Sequence, residues 1–140
     1  TRGLLWKVPL QSPQALTEIR LPQRLKGPDG LLLRSATELV AVQSFADGQG
    51  MSGDVTLLTS QDGWNSATIA GVAAAPNLDG PTTATLKDGE VWVVNSRFPR
   101  IFADLSTADA THEFSIVKVD FGLGTKTGDV VTSGKTAKPR

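Results

Sequence analysis

The sequence predicts an all-β protein, and three observations carry that prediction. Apolar residues alternate instead of recurring at helical spacing, and turn-forming clusters interrupt the chain at short intervals. A two-stranded unit also occurs twice, 53 residues apart. The chain has 140 residues, of which 39% are hydrophobic and 20% charged, enough for one folded domain with a buried core.

The strands follow in order. Leu4, Trp6, Val8 and Leu10 share one face, with Leu5, Lys7 and Pro9 on the other, so residues 3–10 form a strand. Thr17, Ile19 and Leu21 alternate with Glu18 and Arg20 and predict a second over 16–21. Residues 27–44 open with Gly-Pro-Asp-Gly, run through a first strand and a tight turn, and return in Leu39-Val-Ala-Val42 to close on Gln43 and Ser44. Val55 and Leu57 mark a strand over 53–60. The Ala-rich segment 65–75 competes as a helix, but Gly71 and the β-branched Thr68, Ile69 and Val72 favour an outer strand over about 66–72. Residues 80–96 repeat the 27–44 unit with one gap in the hairpin, from Gly80-Pro81 through Lys87-Asp-Gly89 to Asn95-Ser96. Val117, Val119 and Phe121 predict a last strand over 113–121.

Four antiparallel strands per repeat of about 40 to 50 residues is the arithmetic of a β-propeller blade. The chain supplies about two and a half such blades, and a closed ring needs at least about four. Residues 1–124 are then a partial propeller and 125–140 a polar, basic tail. The strands over 3–10 and 16–21 match the outer pair of a blade whose inner half is missing. Completion must come from a missing N-terminal segment or from identical chains. A β-sandwich or open barrel of about eight or nine strands is the alternative, and it needs no missing half.

Several function classes are excluded by composition. Fourteen basic residues balance fourteen acidic ones, so no overall field draws nucleic acid or an anionic membrane. The longest stretch free of formal charge, residues 63–78, contains Asn and Pro and is too short to span a bilayer. Absence of cysteine removes disulfides, thiolate metal sites and Cys nucleophiles, while leaving the compartment open. The opening Thr1, with no signal-like segment after it, predicts a processed, excised or engineered chain, part of a split protein or a self-assembling one.

Gly27-Pro-Asp-Gly-Leu31 followed by Glu38-Leu-Val-Ala-Val42 resembles the SMP-30/gluconolactonase, or regucalcin-like, family of six-bladed propellers. Pro81-Thr-Thr-Ala-Thr85 with Gly89-Glu-Val-Trp-Val-Val94 is similar to that family's penultimate segment. Phe114-Ser-Ile-Val-Lys-Val119 with Gly122-Leu-Gly124 is similar to its closing strand, so that residues 3 to 124 correspond to its C-terminal two-fifths. The resemblance implies metal-dependent hydrolysis of a lactone or ester in a completed ring. It also implies a divalent metal, calcium by family habit, with Asp29 as ligand and general base. Only Asp29 matches the family's ligand set, so its remaining ligands would lie outside this chain. A non-catalytic segment that binds a ligand or a protein is the other reading.

Each candidate also has a plain structural role. Asp29 sits in a favoured turn sequence, and the second repeat has Thr82 in its place. Asn95 is a candidate amide ligand for the metal, as is Gln43, but both end apolar strands where an amide more often bonds the backbone of a neighbouring blade. Trp6, Trp64 and Trp92 are packing residues, Trp92 the clearest. His112, the single histidine, lies in a loop with no nucleophile elbow to serve. Gly48-x-Gly-x-x-Gly53 leads into a strand instead of a helix, and Gly134-Lys-Thr136 lacks the upstream glycine of a phosphate loop, so neither is a phosphate site. Between 122 and 140 four basic residues face one acid, which is a solvated terminus, a seal for the last blade or a docking arm.

Overall fold

The computed structural model describes residues 3–44, 53–73, 78–98, 101, 104–106 and 114–122, and the fold is all-β. Nine strands are present among them: β1 (Leu5–Lys7), β2 (Thr17–Ile19), β3 (Pro28–Ser35), β4 (Glu38–Gln43), β5 (Asp54–Thr59), β6 (Thr68–Ala73), β7 (Pro81–Lys87), β8 (Glu90–Asn95) and β9 (Ser115–Val119). They form three antiparallel sheets, β1-β2, β3-β4-β5-β6 and β7-β8-β9, each ordered as the chain runs. The Ala-rich segment is a strand, as its β-branched residues predict. The first two strands are shorter than their alternation suggests. His112, the segment 48–52, the tail 125–140 and Thr1 lie outside the described residues.

The middle sheet is apolar on both faces, and this determines the layering. Along β4, Val40 and Val42 point one way and Ala41 the other, as strand pleating requires, and all three are fully buried. On one side, Val40, Val42, Val55, Leu57 and Ala73 meet Val91, Val93 and Val119 of the third sheet. On the other, Ala41, Leu58 and Ala67 meet Leu5 and Ile19 of the first sheet and Leu25 of the linker. Burying one such Val or Leu side chain is worth about 1.5–3 kcal/mol, so the two apolar clusters outweigh any single polar contact described below.

The repeat seen in sequence is also a repeat in register. Pro28 pairs with Gln43 and Pro81 with Asn95, and each first strand then slips by one residue, at Asp29 and at Thr82. Gly27 and Gly80 both take positive φ, at 57° and 59°. Ser44 N–H donates to Gly27 O and Ser96 N–H to Gly80 O, each at 3.0 Å. The one-residue gap between the two units has a physical location. β3 carries a second register shift between Leu33 and Ser35 that β7 lacks, so Arg34 is the extra residue, absorbed as a bulge. The second hairpin closes through Asp88 and Gly89 with φ of 54° and 77°, the positive pair that matches the twist of its strands.

Neighbouring sheets approach most closely where these hairpins lie side by side. A Cβ on Gly30 would sit 2.5 Å from Thr82 O and 2.9 Å from Thr83 Cα, both backbone atoms, so β3 and β7 touch without an intervening side chain. Trp64 packs against the cluster around Leu5 and donates its Nε1–H to Ala36 O at 2.9 Å. Trp92 lies within β8, its Nε1 buried with no acceptor among the described residues. Trp6 departs from its expected packing role: it faces away from Leu5 and is half exposed.

The β5–β6 turn ties the first sheet to the second. Asp62 accepts from Ser66 Oγ at 2.6 Å, Ser66 N–H at 2.9 Å, Asn65 N–H at 3.0 Å and Ser60 Oγ at 3.0 Å. Lys7 Nζ donates to Gly63 O and Asn65 Oδ1 of the same turn, and Ala67 N–H donates to Arg20 O. The Ser66 bonds, hydroxyl first and then backbone, hold the Asp62 carboxyl well below its ordinary 3.8. A carboxyl lowered in this way contributes stability that is complete above its unfolded pKa and is lost as pH falls towards the folded value. The urea midpoint of the wild type relative to Asp62→Asn is therefore expected to be constant above about pH 5 and to shrink steadily below about pH 4. A difference that grows on acidification would contradict this account of the turn.

Candidate functional site

The chemistry-bearing residues predicted from sequence gather at the end of the hairpins where the bulges lie. Pro has no N–H to give the ladder, and in both repeats the residue after it is unpaired with the partner strand. Asp29 occupies that unpaired position in the first repeat and Thr82 in the second. A bulge turns its side chain out of the sheet's alternation, which is how strands commonly present a functional group. Asp29 is exposed, and its Oδ2 accepts a hydrogen bond from Ser44 Oγ at 2.8 Å.

Ser44 connects two sheets at this point. Its hydroxyl lies 2.6 Å from Pro81 O of the third sheet as well as 2.8 Å from Asp29, so one proton is shared between a carboxylate and a carbonyl. Ser96, its counterpart in the second repeat, donates to Gly80 O of its own hairpin at 2.8 Å. The serine that follows each amide is therefore a closing element in both repeats, and only the first bridges to a neighbouring sheet.

The amides act as latches. Gln43 Oε1 accepts the backbone N–H of Lys26, and Asn95 Oδ1 accepts that of Asp79 at 3.1 Å. The donor in both cases belongs to the residue just before the Gly-Pro pair. At the other end of the amide, Gln43 Nε2 donates to Asp54 Oδ1 and to Thr56 Oγ1 at 2.8 Å, and Asn95 Nδ2 donates to Ser115 Oγ at 3.1 Å. Each amide thus pins the start of its own hairpin to the next strand. Each amide does bond backbone, but of the segment that leads into its own hairpin, at Lys26 or Asp79, instead of a neighbouring sheet. Both amides are buried, Asn95 to 1% exposure, so that its oxygen faces protein and not a solvent-filled opening.

Asp29 and Asn95 therefore share an end of the fold while differing in kind, one exposed and bonded to a hydroxyl, the other enclosed and committed to the sheet. Among the described residues no group of three or more His, Cys, Asp or Glu side chains is close enough to hold a metal ion. Grooves of about 270 Å³, beside Arg34, Glu90, Lys118 and Asp120, and of about 300 Å³, beside Glu18, Ile19 and Arg24, both lie away from Asp29. Sequence reasoning missed the roles of Ser44, Asp54 and Asp79. The signal was present in the paired endings Gln43-Ser44 and Asn95-Ser96, which a purely apolar core would not repeat.

Removing either latch leaves a backbone donor without its acceptor, which costs about 1–3 kcal/mol. Gln43→Ala and Asn95→Ala are each expected to lose that much in metal-free urea denaturation. Unchanged metal-free stability in Asn95→Ala would contradict the latch and leave its amide available as a ligand. In comparisons with known proteins, no family model, no curated protein and no solved structure matches the chain.

Proposed function

We propose that the chain forms successive blades of a β-propeller and serves as a ligand- or protein-binding segment of the ring. In this reading β3 to β6 are one complete blade, β7 to β9 three strands of the next, and β1-β2 the outer pair of the one before. The observation that carries it is the side-by-side repetition of the two bulged hairpins, with the same register, the same amide latch and backbone contact at Gly30. Successive units that bury one another's faces are what a radial array of sheets requires. The resemblance to SMP-30/gluconolactonase proteins is consistent with this order of segments. Asp29 then stands on the rim, an exposed carboxylate oriented by Ser44 towards whatever occupies that end of the ring.

Metal-dependent lactone or ester hydrolysis is the second reading, and the exposed carboxylate of Asp29 on its bulge is what favours it. A calcium ion wants six or more oxygen ligands. Asp29 offers one carboxylate, and the Oδ1 of Asn95 already accepts the Asp79 N–H. The described residues alone do not fit such an ion, so hydrolysis would require ligands from elsewhere in the ring.

Calorimetric titration of the 140-residue chain with calcium, alongside Asp29→Asn, separates the two readings. The binding-segment reading expects no saturable calcium uptake by either protein and no turnover of simple lactones or aryl esters. Stoichiometric uptake by the wild type that Asp29→Asn abolishes would overturn it in favour of the hydrolase.

A further inference from the structure

Leu31 and Leu33 of β3 are 56% and 60% exposed, although their partners across the hairpin are not left open in this way. Leu31 pairs with Ala41 and Leu33 with Leu39, and both partners belong to the cluster that the first sheet covers. Paired residues share a face, so one continuous apolar surface is covered over β4 and β5 and bare over β3. The strand that should continue the cover is also identifiable. β2 is tied to the β6 side through Arg20 and Ala67, which leaves β1 on the side of β3. Among the described residues β1 pairs with β2 alone, so its other edge is open.

The internal repeat indicates what covers a strand in this position. With the 53-residue offset, Leu31 corresponds to Ala84 and Leu33 to Leu86. Ala84 packs against the cluster containing Val40 and Val42, beneath the β3-β4 hairpin, and Gly30 rests on the backbone of Thr82 and Thr83. The second hairpin is thus covered by the first at Ala84, with Leu86 at its end still 37% exposed, and among the described residues the first has no counterpart over it. Resting on the propeller reading above, we infer that the β1 edge and the open face of β3 are a single docking site for a two-stranded β-hairpin of the β3-β4 kind, carried by a partner segment. The second strand of that hairpin adds antiparallel to β1, as β4 does to β5, and its apolar face lies on Leu31 and Leu33.

The test adds a synthetic peptide of residues 27–44 to the full chain and follows hydrogen exchange. At saturation, exchange in β1 is expected to slow by about tenfold or more. Leu31→Glu with Leu33→Glu is expected to weaken peptide binding by about tenfold or more with an unchanged circular dichroism spectrum, because both side chains are already exposed. A peptide carrying Val40→Glu and Val42→Glu should not bind. Binding that ignores these substitutions, or a homodimer that the Leu31→Glu and Leu33→Glu pair dissociates, would overturn the proposal.

The chain has no cysteine, so Leu31→Cys supplies a single thiol that reports whether the face is open. Rapid labelling without peptide binding would sink the hairpin proposal and leave the propeller reading standing. A protected thiol in a monomer would mean that the face is closed, and both would fall together.

Discussion

A pair of strands buried on both faces cannot exist in water by itself, and β4 with β5 is such a pair. Val40, Ala41, Val42, Val55, Leu57 and Leu58 are all fully buried, and they point to opposite sides of one sheet. Each face needs its own covering layer. The first sheet supplies one and the third sheet the other, so three sheets whose named strands do not pair with one another are joined mainly by apolar contact, with a few hydrogen bonds at their margins. Hydrogen bonding inside a sheet sets its register, but the order of the layers follows from which faces are apolar. The same logic accounts for the exposed leucines of β3, which continue a covered face past the edge of its cover.

Polar groups then determine how the hairpins begin. A Gly-Pro pair frees the strand of one ladder bond and turns the chain at a positive φ, which would leave the preceding N–H without a partner. The buried amides of Gln43 and Asn95 accept that N–H and, through their own NH₂ groups, hold the following strand. Each latch is comparable in worth to the burial of one apolar side chain, and it fixes the start of the hairpin beside the residue where the bulge falls. The bulge in turn exposes Asp29, and the Ser44 hydroxyl orients its carboxylate beside the junction with the third sheet. The turn residue is thus also the exposed acid here, since the geometry that makes the turn presents its carboxylate.

Much of this was legible in the sequence, because strand alternation and a repeated hairpin are local signals. The gap needed to align residues 27–44 with 80–96 corresponds to a real bulge at Arg34, and the Ala-rich segment is a strand as its β-branched residues require. Other features depend on residues far apart in the chain. Nothing near Asp54 marks it as the partner of the Gln43 amide, and nothing around Asp62 shows that Lys7 bonds the backbone of its turn. The alternation of Leu4, Trp6, Val8 and Leu10 overstates β1, which pairs over only three residues and turns Trp6 outward. Alternation marks a strand's two faces but not how far the pairing extends. Of the three residues singled out for metal, burial separates the amides from the acid: Gln43 and Asn95 are enclosed and committed to the sheet, whereas Asp29 is open.

Native-state hydrogen exchange on the intact chain tests most directly whether the middle strands are the element on which the rest depends. The account predicts that the amides of Val40–Val42 and Val55–Leu58 are the slowest in the protein and exchange only through global unfolding, with β1-β2 and β9 opening at lower free energy. Slowest exchange in β1-β2 or in β7 to β9, with β4 and β5 opening first, would contradict it.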